Sequence, residues 1–226
     1  MRGKLSDGTW RKNYNPFYSI HMEDDYVEGN GWQYTWLVPQ DPQGLINLFG
    51  GKKAFSQKLD SLFLVSSKLN EGASIDITGL IGQYAHGNEP SHSTLYLYPY
   101  AGQAYKTAEK VRQVMREMYA PRPDGLCGND DCGQMSAWYI FSAMGFYPMN
   151  SVSGEYVFGS PTLDKAIISI PEGKKFTIIA RNNSVKNIYI QSITLNGKPY
   201  KELFIRHHDI MRGGELVFEM GENAKK

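Results

Sequence analysis

Cysteine is scarce in this chain, long apolar runs are missing, and neither sign of charge dominates. Cys127 and Cys132, with four residues between them, are the only two cysteines among 226 residues. A metal pair would need two further Cys or His ligands in a similar cluster, and none is visible. Two reduced, half-buried thiols are the first reading; a disulfide stapling the turn, in an oxidising compartment, is the second. No stretch approaches the ~20 apolar residues of a membrane span. The opening "MRGKLSDGTW" lacks the apolar core of a signal peptide, so the protein is cytosolic or the sequence begins after its signal. The formal net charge is +1, which gives no electrostatic footprint for nucleic acid or an anionic membrane. Repeats of fixed period and low-complexity segments are absent too.

What is present is apolar and aromatic. Hydrophobic residues make up 41% of the chain, enough for a sizeable core, and the length suits one large domain or two small ones. Aromatic residues reach 13%, with 15 Tyr and 4 Trp. Flat apolar faces with a polar handle suit sugar binding and core packing alike.

The hydrophobic period divides the chain near residue 150. In "LINLFGGKKAFSQKLDSLF" the apolar residues Leu45, Leu48, Phe49, Phe55, Leu59, Leu62 and Phe63 recur at three-to-four spacing around a Gly-Gly break, which predicts two helices joined by a turn. "AGQAYKTAEKVRQVMREMYA" predicts an amphipathic helix ended by Pro121 and Pro123. "GQMSAWYIFSAMGFYP" predicts a helix buried on most sides and stopped by Gly145 and Pro148. Beyond Pro148, "AIISI", "FTIIAR", "IYIQSITLN" and "ELVFEM" are short, β-branched and alternating, with an Asn-Gly turn in "LNGK". The expectation is an α+β chain: a helical layer over residues 1–150 and a small antiparallel β layer over 151–226.

Acidic and amide groups gather in three loops. In "DDYVEGNGWQYTWLVPQD", Glu28 lies among glycines and aromatic rings. Partial desolvation there would raise its pKa and suit a general acid; on this segment alone, a helix-cap Glu beside core Trp residues is the favoured reading. In "QYAHGNEPSHSTLYLY", His86, Asn88, Glu89 and His92 fall within seven positions, and a helix is expected to begin at Ser91. Asn and Glu oxygens with loop carbonyls are hard ligands suited to calcium. Zinc on the histidines is weaker for want of partners, and a loop that merely caps the next helix is the plain alternative. In "GLCGNDDCGQMSAW", Asn129, Asp130 and Asp131 precede a helix, and adjacent like charges exceed what a turn requires.

These stretches carry a family resemblance. "VEGNGWQYTWLVPQD", "HGNEPSH…YLY…AGQ" and "GNDDCGQMSAWYIFSAMGFYP", followed by "VFGSPTLDKAIISIPEGKKFTIIARNNS", together resemble the calcium-dependent exo-acting α-mannosidases of glycoside hydrolase family 92. The resemblance runs in order over nearly the whole chain. It implies a β-sandwich followed by an (α/α)6 barrel in a polypeptide far longer than this one, so that residues 1–150 supply the C-terminal part of the toroid and 151–226 close onto it. It also favours a sequence beginning after its signal, and a periplasmic, cell-surface or secreted location. By residue, it implies Glu28 as general acid and Asp131 as general base, with Asp130 as second candidate. Asn88 and Glu89 match the Ca²⁺ loop, and Gln33, Trp36, His86 and His92 would surround the −1 sugar of a mannose-containing glycan. The inverting chemistry it implies needs acid and base ~6.5–9.5 Å apart with water between. A non-catalytic carbohydrate-binding or structural fragment is the main alternative. A phosphorylase would need basic phosphate contacts, and a lyase would rest on loose candidates such as Tyr26 and His21.

Overall fold

The computed structural model describes residues 2–225, which fold into two compact units. The first unit runs up to Thr94 and takes in Met118–Met135; the second comprises Leu95–Glu117 and the chain from Ser136 onward. This differs from a division at residue 150. The helix Ala104–Glu117 packs on a strand of the second unit, and most of the helix Gln134–Met144 belongs there as well.

In the first unit, helices α1 (Gly31–Tyr34), α2 (Pro42–Leu48) and α3 (Lys52–Leu62) follow an irregular opening segment. The Gly-Gly break separates α2 from α3 as the periodicity predicts. Their apolar faces bury Leu45, Ile46, Phe55, Leu59 and Leu62. Trp36 closes this core, stacked on Phe49 at 5.4 Å between ring centroids and edge-on to Phe55. From Leu64 to Gln103 no α-helix forms, contrary to a helical reading of residues 1–150. Glycines and prolines interrupt this stretch, leaving the two-stranded hairpin β1 (Leu80–Ile81) and β2 (Tyr84–Ala85) and two 3-10 turns. Where a helix is expected to begin at Ser91, one turn, Glu89–Ser91, ends there, capped by Asn88, and the other, Thr94–Ala101, follows.

In the second unit, α4 (Ala104–Glu117) buries Ala108, Val111, Val114 and Met115, the stripe read from the sequence. Helix α5 (Gln134–Met144) buries Met135, Trp138, Ser142 and Ala143 but leaves Ile140 57% exposed, so it is not buried on most sides. Gly145, at φ +98°, ends it, whereas Pro148 lies inside a strand. Ten strands occur among the described residues. β3 (Phe146–Asn150), β4 (Glu155–Phe158) and β9 (Phe204–Arg206) form an antiparallel sheet in that order. β5 (Lys165–Ser169), β6 (Lys175–Arg181), β10 (Gly214–Gly221), β7 (Tyr189–Leu195) and β8 (Lys198–Pro199) form a second sheet, also in that order. The purely antiparallel expectation is corrected at one pairing: β6 and β10 run parallel, Phe176 opposite Gly214 through Arg181 opposite Glu219. The short helix α6 (His207–Met211) lies between β9 and β10 in the chain, and the long path from β6 to β10 permits the parallel register. Phe176, Ile178 and Ala180 of β6 alternate inward with Leu216, Phe218 and Met220 of β10 to form the core. No helix among the described residues is long and apolar enough to cross a membrane.

Candidate functional site

All three acidic loops lie in the first unit. The loop carrying Glu28 is fixed by the start of α1. Asn30 caps that helix: its side-chain oxygen accepts from the N–H groups of Trp32 and Gln33, and the Gln33 side chain accepts in return from the Asn30 N–H at 2.7 Å. The Asn30 amide donates to the Gln83 side chain at 2.8 Å, and Gln33 Nε2 donates to the Gln83 carbonyl at 2.9 Å. The β1–β2 hairpin and the Glu28 loop are thereby locked together. The amide of Asn88 donates across to the Glu28 carbonyl at 2.9 Å. Its oxygen accepts the Glu89 N–H.

The third loop approaches the second through bare backbone. A Cβ placed on Gly128 would stand 2.7 Å from the Cα and O of Gly87, and one on Gly87 would stand 1.8 Å from Thr78 Oγ1. Only glycine allows segments 76–79, 85–89 and 127–131 to meet this closely. Glu28 and Asp131 both occupy the left-handed region, at φ +58° and +50°. Such a backbone costs a non-glycine residue of order 1–3 kcal/mol and persists where the surroundings over-determine it, most often at functional sites.

Burial raises the Glu89 carboxyl above the ordinary range against the opposing pull of a backbone hydrogen bond, and the side chain and charge of Asp131 and the charge of Glu28 raise it further. Asp131 and Glu28, from loops far apart in the sequence, thus both act on Glu89. The aromatic neighbour of Glu28 is Tyr34: the Glu28 charge, second to burial, raises the Tyr34 phenol, whose hydroxyl donates to the Val27 carbonyl. Glu28 is no helix cap, since Asn30 fills that role. Asp130 is half-buried, and its carbonyl accepts the Met135 N–H at 3.2 Å. Both thiols are free, Cys127 half-buried and Cys132 exposed.

The residues expected around a sugar are placed otherwise. Trp36 is fully buried in the aromatic core, and Gln33 is 4% exposed with its amide used by the cap and by Gln83. His86 and His92 are 0% and 1% exposed. The His86 ring nitrogens contact the hydroxyls of Tyr84 and Tyr119, each at 2.7 Å. His92 Nε2 donates to the His86 carbonyl at 3.0 Å, and its Nδ1 faces Gln134 Nε2 at 3.3 Å. These four side chains are framework, because they are packed in the core or turned to another part of the same unit. Sequence reasoning missed Gln83, Thr78, Tyr84, Tyr119 and Gln134, which tie the loops together. A lone Tyr or Gln beside a turn carries no signal of what its tip will reach.

Burial pushes the His92 imidazole down to about 4 and holds His86 well below its ordinary value, with the His92 charge a second cause there. The folded state therefore binds fewer protons than the unfolded chain between about 6.5 and 4. Stability is complete above the unfolded value and is lost as pH falls through this window. Melting temperatures measured across it should drop for the wild type and drop less for His92→Gln; parallel profiles would show that these rings do not govern acid sensitivity.

The donor chemistry suits a hard cation: a carboxylate, an amide oxygen with a lone pair left, and loop carbonyls. Among the described residues, no group of three or more His, Cys, Asp and Glu side chains is arranged to hold a metal ion.

Known proteins resemble this chain in sequence and fold. The model of the glycosyl hydrolase family 92 catalytic domain matches residues 1–222. A family GH92 α-mannosidase of Bacteroides thetaiotaomicron, solved in complex with mannoimidazole, is 41% identical with a TM-score of 0.92, over 99% of this chain and 30% of that one. A family GH92 inverting mannosidase of the same species is 37% identical with a TM-score of 0.84, over 99% of this chain and 31% of that one. An uncharacterized secreted glycosidase of Arthroderma benhamiae is 30% identical over 96% of this chain and 27% of its own length. The chain therefore spans about a third or less of the relatives it matches.

Proposed function

The chain belongs to glycosyl hydrolase family 92, and from that premise we propose that it acts, within a longer polypeptide, as part of an enzyme removing terminal α-linked mannose from glycans by a calcium-dependent inverting reaction. One observation supports the reading: the loops of Glu28, Glu89 and Asp131 meet in one unit, with the Asn88 amide donating to the Glu28 carbonyl at 2.9 Å and Gly87 packing against Gly128, and the charges of Asp131 and Glu28 raise the Glu89 carboxyl. Glu28 is the general acid, protonating the leaving oxygen. Asp131 is the general base, drawing a proton from water on the opposite face of the sugar, with Asp130 next in line. Inversion asks for a gap between acid and base wide enough to admit that water. Asn88 and Glu89 would hold the calcium ion, which when bound offsets the crowded negative charge and offers a seat to vicinal hydroxyls. Asn88 also anchors the Glu28 backbone, so the acid and the metal loop share one side chain. The same reading assigns the helices to part of an (α/α)6 toroid and, from the secreted relative, places the enzyme outside the cytoplasm.

The test is release of free mannose from α-linked mannobiose by the full-length protein. Activity should vanish in excess chelator and return with added calcium. Full activity in chelator would remove the metal from the mechanism. No release at all from any α-mannoside would favour a non-catalytic carbohydrate-binding or structural module.

A further inference from the structure

We propose that Tyr119 is a positioning residue that, through His86, fixes the gap between the loop carrying Glu89 and the loop carrying Asp131. The inference rests on the assignment of those carboxylates to the glycosidase site, and it concerns a residue outside the acidic loops.

Tyr119 stands two positions beyond α4, where an antiparallel bridge to Leu126 and a hydrogen bond from the Ala120 N–H to the Gly125 carbonyl close a small hairpin. That hairpin delivers the chain into the Asp130–Asp131 loop. The Tyr119 hydroxyl donates to the Met135 carbonyl at 3.0 Å, at the start of α5. Its contact with His86 Nε2 at 2.7 Å is then one in which the imidazole donates. His86 Nδ1 is left as the acceptor for the Tyr84 hydroxyl at 2.7 Å. This assigns the His86 tautomer from its partners. The string Tyr84–His86–Tyr119–Met135 thus crosses from strand β2 to the first turn of α5.

A second tie runs beside it. His92 binds the His86 carbonyl with one nitrogen and faces Gln134 with the other. Gln134 and Met135 are the residues whose N–H groups donate to the carbonyls of Asp131 and Asp130, each at 3.2 Å. The backbone of both carboxylates is therefore joined directly to Gln134, which His92 faces, and to Met135, whose carbonyl Tyr119 binds. Between them, Asp131, Cys132 and Gly133 are all left-handed, at φ +50°, +58° and +93°. Such a loop has no ladder, and the side-chain ties to Gln134 and Met135 supplement its two backbone bonds.

Tyr119→Phe removes one oxygen and keeps the ring. It parts the string at the point where the hairpin, His86 and α5 meet. In the full-length enzyme, kcat should fall about tenfold, as expected for a small displacement of reacting groups, while KM stays within about twofold. A second readout needs no catalysis. Cys127 is half-buried, its thiol pushed up to about 11 by burial, and its sulfur lies close against Gly79. Iodoacetamide labelling, followed by mass spectrometry of the Cys127 and Cys132 peptides, should show Cys127 reacting severalfold faster in the variant. The exposed Cys132 should be unchanged, and the melting temperature should shift by only a few degrees. If kcat and Cys127 labelling both match the wild type, the proposal is overturned. Loss of the melting transition would overturn it too, by making Tyr119 a general scaffold residue. If the wild type releases no mannose while Cys127 is still unmasked in the variant, the glycosidase assignment fails and the positioning role stands.

Discussion

Asp131→Asn in the full-length enzyme is expected to lower kcat by about 10²–10⁴-fold, the usual worth of a positioned general base, and to leave calcium bound. The side chain and charge of Asp131 oppose ionisation of Glu89. An amide in its place keeps the shape and removes one of the crowded negative charges. Glu89 then ionises more readily and remains available to the metal, while no carboxylate remains at position 131 to take a proton from water. Glu89→Gln should behave differently: it keeps the base but weakens the ion, so its defect should resemble chelation and recede as calcium is raised. Steady-state kinetics with calcium titration calorimetry on both variants separates the two. An Asp131→Asn enzyme with turnover near wild type would move the base to Asp130, which the same measurement on Asp130→Asn would settle.

The second large effect concerns a position with no chemistry of its own. Gly128→Ala should cost ~1–3 kcal/mol of stability, the usual penalty of overpacking, and about 10²-fold in turnover if the loops part by an ångström. The added methyl would stand 2.7 Å from two backbone atoms of Gly87 and 2.8 Å from Thr78 Oγ1. Backbone cannot swing aside as a flexible side chain can, so the acidic loop itself must retreat. Gly87→Ala should also lose stability and turnover, since its methyl would meet Thr78 Oγ1 at 1.8 Å. Thr78→Ala removes that oxygen and should return part of the loss in Gly87→Ala, although Thr78 Cβ remains 3.0 Å away. Melting temperatures and kcat for the two single variants and the double variant give the coupling. Additive losses would mean that Thr78 and Gly87 do not compete for the same space.

Periodicity made α2, α3, α4, β5, β6, β7 and β10 legible, because each carries a long apolar stripe or a clean alternation. The sheet of β3, β4 and β9 was not legible: β3 contains Pro148, which reads as punctuation, and β9 is three residues long. Partner direction was hidden as well. The alternation of "ELVFEM" fixes which faces are buried but does not say that β6 lies parallel to it. At the site, the loops that draw near one another were readable: the Asn88 amide reaches the Glu28 carbonyl, and Gly87 packs against Gly128. The aim of the side chains was not. Trp36 and His86 have the chemistry of sugar contacts, yet tertiary packing uses one to fill a core and the other to connect two tyrosines.

The placement of β10 bears on how the chain acquires its fold during synthesis. The strand latest in sequence sits third of five, between β6 and β7, so that β5–β6 and β7–β8 are separate hairpins until it arrives. A ribosome that has delivered residues 165–199 has made two ribbons, each exposing an edge and an apolar face. Only when Leu216, Phe218 and Met220 emerge does one strand bridge both ribbons and bury those faces together. The interval before their arrival is when the nascent chain is most open to mispairing and to capture by chaperones.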